Sequence, residues 1–139
     1  DAVNLRVFCS GYRKFTMEIN DITGQIIDAA IKVHTVLGAG LLESAYEACL
    51  AHELRQRGFR VDVQLGLPIE YNGIQLDVGY RIDLLIEDTI IVELKAVSEI
   101  QPIHEAQLLS YLKLSKKKVG LLINFHVLRL KDGIKRMAN

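Results

Sequence analysis

Cysteine, proline and surplus charge are all scarce in this chain, and each shortage excludes something. Only two cysteines occur among 139 residues, Cys9 and Cys49, and they form no C-x-x-C pair. That spacing argues against a zinc ribbon or a disulfide scaffold. It fits a reducing compartment, with Cys9 in a tail and Cys49 a buried helical thiol, so a cytoplasmic protein is expected. Two prolines beside ten glycines exclude collagen-like and proline-rich linker classes. Lysine and arginine total 17 against 17 acidic residues, which removes any strong overall pull toward nucleic acid or an anionic membrane. A local basic patch remains open. The longest apolar stretches, such as Leu84-Leu85-Ile86 and Leu121-Leu122-Ile123, fall far short of the roughly 18 residues that span a bilayer. No membrane partner is expected, and residues 1–7 lack the apolar centre of a secretory signal.

What the chain does have is material for a core. Half of its residues are apolar and 24% are charged, enough to fold as one domain at this length. Residues 1–16 show no sustained period and are expected to be a poorly ordered N-terminal extension, leaving residues 17–139 as the domain. From Asn20 the pattern is helical, with Ile22, Ile26, Ala29, Ala30, Val33 and Leu37 on one stripe. Gly38-Ala39-Gly40 ends that helix. A second begins near Leu41, with a predicted stripe of Leu42, Ala45, Cys49 and Leu54 flanked by Leu50, and closes at Gly58.

The period then falls to 2. Phe59, Val61, Val63 and Leu65 alternate with polar residues, and Asn72-Gly73 between two short apolar runs signals a hairpin. Strands are predicted over 80–86 and 90–96, a helix from Pro102 to about Ser115, and a buried strand over 119–125. Residues 127–131 and 134–137 read as a closing hairpin around Asp132-Gly133. The order is α-α-β-β-β-β-β-α-β, a mixed sheet flanked by helices.

Polar residues where a buried strand should be apolar point to chemistry. In Ile91-Val92-Glu93-Leu94-Lys95, Glu93 and Lys95 share a face, and burying either charge is costly without a partner or an ion. Asp83 on the preceding strand adds a second carboxylate. Two carboxylates and a lysine at adjacent strand ends suit a hard divalent cation. An E-x-K tripeptide alone is common, and a structural Glu93–Lys95 ion pair would give the same letters. Register decides between them. A two-residue turn at Glu87-Asp88 would put Asp83 on the face away from Glu93, whereas a three-residue loop, Glu87-Asp88-Thr89, brings the two opposite.

Further along the chain, Gly40-x-x-Glu43-x-x-Tyr46 opens the second helix, and Gln107-x-x-x-Tyr111 lies on the helix after the E-x-K strand. Taken in order with Asp83 and Glu93-x-Lys95, these resemble the GxxExxY protein family of the PD-(D/E)xK nuclease superfamily over about residues 17–137. The resemblance implies a restriction-endonuclease-like α/β core. It implies that Asp83, Glu93 and the Leu94 carbonyl hold Mg²⁺ or Mn²⁺, and that Lys95 is the catalytic lysine. Glu43 would complete the acidic cluster, and Gln107 with Tyr111 would match the Q-x-x-x-Y motif of exonuclease-like branches. The loop before Glu43 lacks the proline found in many relatives.

The remaining features say less. His34, His52, His104 and His126 show no metal-ligand spacing, although His104 precedes Gln107 and Tyr111 closely enough to line the same cleft. No nucleophile elbow or phosphate-binding glycine loop occurs. Lys113, Lys116, Lys117 and Lys118, extended by Lys131, Lys135 and Arg136, form a candidate edge for phosphate contacts. The expected activity is hydrolysis of phosphodiesters in nucleic acid, DNA ahead of RNA, helped by a homodimer partner or a recruiting protein. The alternative is a catalytically silent module of the same fold that binds nucleic acid or a protein partner through its basic edge.

Overall fold

The computed structural model describes the backbone of residues 2–9 and 11–139, and the side chains from Met17 onward. Strands β1 (Ala2–Cys9) and β2 (Gly11–Glu18) pair antiparallel in a sheet of their own, where the sequence showed no sustained alternation. The side chains of the expected extension, residues 1–16, lie outside the described part.

Helix α1 (Ile19–Leu37) carries the predicted stripe, with Ile22, Ile26, Ala29 and Ala30 fully buried. It ends at Gly38, whose φ of 72° suits glycine. Helix α2 (Glu43–Gln56) follows. A five-stranded sheet has the order β3 (Val61–Gly66), β6 (Arg81–Ile86), β7 (Ile90–Lys95), β8 (Val119–Asn124), β9 (Ile134–Ala138). Only β7 and β8 run parallel, joined by α3 (Pro102–Ser115); the other neighbours in that sheet are antiparallel. A small outlying hairpin, β4 (Ile69–Tyr71) and β5 (Ile74–Leu76), turns at Asn72-Gly73 with φ of 51° and 78°, the pair of positive values that a tight hairpin turn needs. The fold is thus the mixed α/β architecture the sequence predicts.

The sheet is buried on both faces, so its central strands are almost wholly apolar. On one face α1 and α2 cover Leu84, Val92, Leu94, Leu121 and Ile123. On the other, Leu108 and Leu112 of α3 cover Leu85, Ile91 and Leu122. Gly120 allows that close approach, because a Cβ there would lie 2.9 Å from Leu108 Cδ1.

Two expectations need correction. The buried stripe of α2 is Tyr46, Leu50, Ala51 and Leu54, while Leu42 is 77% exposed and Cys49 is exposed rather than a buried thiol. Tyr46 wins the core position because it can satisfy its polar end: it donates to Gly38 O at 2.6 Å and accepts from Leu41 N–H at 3.1 Å. Its ring stacks on Phe125 with centroids 4.4 Å apart. The second correction concerns residues 127–131, which form no strand. They run through a loop into a 3₁₀ turn at Leu130–Gly133, anchored by buried Leu130 and by His34 Nε2 bonded to Val127 O at 2.8 Å. The last strand, β9, pairs with β8 instead.

Candidate active site

The chain reverses between β6 and β7 through Glu87-Asp88-Thr89, a three-residue loop in which Glu87 and Asp88 both have positive φ, 51° and 52°. The resulting register sets Leu84 against Val92. One step further along, Asp83 lies opposite Glu93. Regular pairing stops there because side chains take over the backbone bonding. Leu94 N–H donates to Asp83 Oδ2 at 2.9 Å, and Asp83 N–H donates to Glu93 Oε1 at 3.0 Å. Each carboxylate therefore holds the opposite strand.

The neighbouring edge strand bends at the same level. Gln64, facing Asp83 across β3 and β6, has φ 51°. Ile82 and Leu85 both pack toward α3, although an unbroken strand would send them to opposite faces. Irregularities of this kind re-aim side chains beside functional sites. Here Gln64 Nε2 reaches Asp83 Oδ1 at 3.1 Å and Glu47 Oε2 at 2.7 Å, tying α2 to the strand end.

Glu43 occupies the first turn of α2, and its Oε1 accepts from Ala96 N–H at 3.2 Å, just past the end of β7. The clasp of Tyr46 on the Gly38–Leu41 segment fixes where that turn begins, which accounts for glutamate and tyrosine at this spacing. Lys95 continues the Glu93 face of β7 and lines a cleft of about 790 Å³ together with Gln107 and Tyr111. Gln107 Nε2 donates to Tyr111 Oη at 3.1 Å.

The electrostatics follow from this crowding. Burial pushes the Glu93 carboxyl up to about 8, helped by the neighbouring Asp83 charge and partly offset by the Asp83 N–H and by Lys95. Burial also raises Glu47, against the bond from Gln64, with the charges of Asp83 and Glu43 adding to the rise. The Tyr111 hydroxyl moves up for the same first reason, then through Glu93 and Asp83, so it belongs to the same electrostatic neighbourhood.

Among the described residues, no three His, Cys, Asp or Glu side chains lie close enough to hold an ion as they stand. The donor set nevertheless fits Mg²⁺ or Mn²⁺. Mg²⁺ commonly takes one or two protein carboxylates and fills its other positions with water and substrate phosphate. A carbonyl is available as well. Lys95 O accepts from Phe125 N–H on the β8 side. Leu94, one residue earlier, therefore turns its N–H and its C=O to the β6 side of the strand, and its N–H meets Asp83 there.

The predicted residues Glu43, Asp83, Glu93, Leu94 and Lys95 thus meet at one end of the sheet, with Gln107 and Tyr111 beside them. Residues 20–137 match the family model described as the PD-(D/E)XK nuclease superfamily. The chain belongs to this superfamily. No curated protein and no solved structure matched it.

Within this superfamily member, sequence reasoning missed three contributors. Glu47 and Gln64 carried no local signal, since they meet Asp83 only through the packing of α2 on β3. Asn124 is buried at the end of β8, where its Oδ1 accepts from Val97 N–H and His126 N–H, and its Nδ2 donates to Val97 O at 2.8 Å. It fixes the chain leaving β7 just after Lys95. A buried polar residue ending an otherwise apolar strand was the available clue.

Part of the predicted basic edge is held by internal partners. Lys117 pairs with Asp88, Lys135 with Glu105, and Arg136 Nη1 with Asn20 Oδ1. No helix among the described residues is long and apolar enough to cross a membrane.

Proposed function

We propose that this chain is a Mg²⁺- or Mn²⁺-dependent nuclease of the GxxExxY group, cutting phosphodiester bonds of nucleic acid in the cytoplasm. The observation that carries this reading is the opposition of Asp83 and Glu93 at the sheet end, with Lys95 beside them on an open cleft. Asp83, Glu93 and the Leu94 carbonyl would hold the ion, which when bound acidifies a water and neutralises phosphate charge. Lys95 carries its ammonium on the Glu93 face, where it offsets charge gathering on the scissile phosphate. Glu43 would bind the ion through water or hold a second ion, and Glu47 is tied to Asp83 through Gln64. Gln107 positions the Tyr111 hydroxyl at the cleft wall. A homodimer partner or recruiting protein would select the target, with DNA ahead of RNA. The silent-module reading has less support, because Lys117, Lys135 and Arg136 of the edge it relies on already have internal partners.

The test combines cleavage with melting. Mn²⁺ stabilises the fold by RT ln(1 + [L]/Kd), about 2.7 kcal/mol at a hundred times Kd. Wild type should gain Tm with Mn²⁺ and cut a generic DNA or RNA. Lys95→Ala should keep the Tm gain and lose cleavage, and Glu93→Ala should lose both. No Mn²⁺ effect on melting and no cleavage by wild type would overturn the reading.

A further inference from the structure

The cleft beside the carboxylates has the wrong character for a phosphate backbone alone. Its walls include Tyr80, Ile103 and Tyr111, with Lys95, Lys113 and His104 among them. A volume of about 790 Å³ lies within the range of sites that enclose a small organic group. Its long wall is α3 from Ile103 to Leu114, about three turns of helix, or roughly 16 Å. That length takes a nucleotide with the phosphates on both sides.

Tyr80 and Tyr111 stand 6.0 Å apart at 57°, tilted rather than stacked face to face. Tyr80 is 43% exposed, yet its backbone is fixed by Leu67 N–H donating to Tyr80 O at 2.8 Å. It offers a placed, partly dry aromatic face. His104 accepts from Gln101 N–H through Nδ1 at 2.9 Å, which leaves Nε2 as a donor. Ile103 is 70% exposed beside it, an apolar residue at the rim.

Duplex binding calls for something else. A protein that grips duplex neutralises many phosphates along a broad cationic face. This chain carries no net charge, and Lys117, Lys135 and Arg136 are paired internally. Aromatic faces between a few cations, by contrast, are how unpaired bases are held.

We infer that the cleft receives the base of an unpaired nucleotide, stacked on Tyr80, while Lys95 and Lys113 hold the flanking phosphates. The substrate class is therefore single-stranded nucleic acid or a frayed end, not intact duplex. This rests on the reading that the Asp83–Glu93 site acts on phosphodiesters, and the experiment separates the two.

The wild-type chain in EDTA is titrated by fluorescence anisotropy against labelled oligothymidylate, oligouridylate, an abasic strand of equal length and a duplex. The thymidylate or uridylate strand should bind about tenfold more tightly than the abasic strand and the duplex. Oligodeoxyuridylate set beside oligouridylate, which carries the same base, gives the sugar preference. Tyr80→Ala should remove most of that tenfold gain and Tyr80→Phe should keep it, because the ring face rather than the hydroxyl is used. Ile103→Glu, on an exposed position, should weaken single-strand binding without lowering Tm. Equal binding of the abasic strand, equal binding of the duplex, or no binding of either single strand overturns the proposal. If Mn²⁺-dependent cutting proceeds as fast on duplex as on single strands, the unpaired-base cleft falls and the nuclease stands. If base-dependent binding is found without any cutting, the nuclease falls and the cleft stands.

Discussion

Replacing Glu93 by glutamine should change how stability depends on pH more than stability itself. Burial against the Asp83 charge lifts the Glu93 carboxyl from 4.5 to about 8, so the ion-free protein carries it mainly protonated at neutral pH. A raised folded-state pKa gives stability that is complete below the unfolded value and is lost as pH climbs through the folded one. The window is thus from about 4.5 to about 8, with stability falling as pH rises. Each full unit inside it costs about 1.4 kcal/mol and the ends of the window count for less, so the drop between roughly pH 5 and pH 8 is about 3 to 4 kcal/mol. In a domain of this size that is a loss of about 10 °C in Tm. Glutamine keeps the oxygen that accepts from Asp83 N–H and removes the titration. Urea denaturation in EDTA should show the difference between wild type and Glu93→Gln growing steadily across this window. Glu47 and Glu87 are also raised, chiefly by burial, but they titrate in both proteins and cancel. A constant difference between the two proteins would refute the buried, charge-crowded placement of Glu93.

Two further substitutions probe the scaffold. Tyr46→Phe leaves Gly38 C=O and Leu41 N–H without their shared hydroxyl and should cost about 1–3 kcal/mol in urea denaturation, with Mn²⁺-dependent cutting reduced because Glu43 loses its anchor; unchanged stability and rate would remove Tyr46 from that role. Gly133→Ala would drive a Cβ into the Asn124 carbonyl and toward Val127 Cγ2, so a loss of about 1–3 kcal/mol is expected, and an unchanged Tm would show that the turn does not press on β8.

Much of this was legible because local rules and tertiary structure agree. The α1 stripe was readable since its apolar residues alone fix the buried face. The opposition of Asp83 and Glu93 follows from loop length, which letters can state once the two strands are recognised. The α2 stripe was misread because apolarity ranks Leu42 and Cys49 ahead of a tyrosine whose hydroxyl finds partners only after folding. Residues 127–131 look like a strand, yet β9 takes the place beside β8 and leaves that segment to turn. Glu47 and Gln64 stayed hidden for a similar reason. Their meeting with Asp83 depends on how a helix lies against an edge strand, and nothing nearby in the chain encodes it.

The reciprocal bonds between Asp83 and the Glu93–Leu94 backbone bear on how relatives of this chain should be read. Both carboxylates would persist in a descendant that had given up cleavage, because removing either leaves an amide of the central strands without its acceptor. Their presence in a sequence therefore records inheritance of the fold. Lys95 closes no such rung, and its replacement would be the earlier mark of a lineage that kept the scaffold and abandoned the reaction.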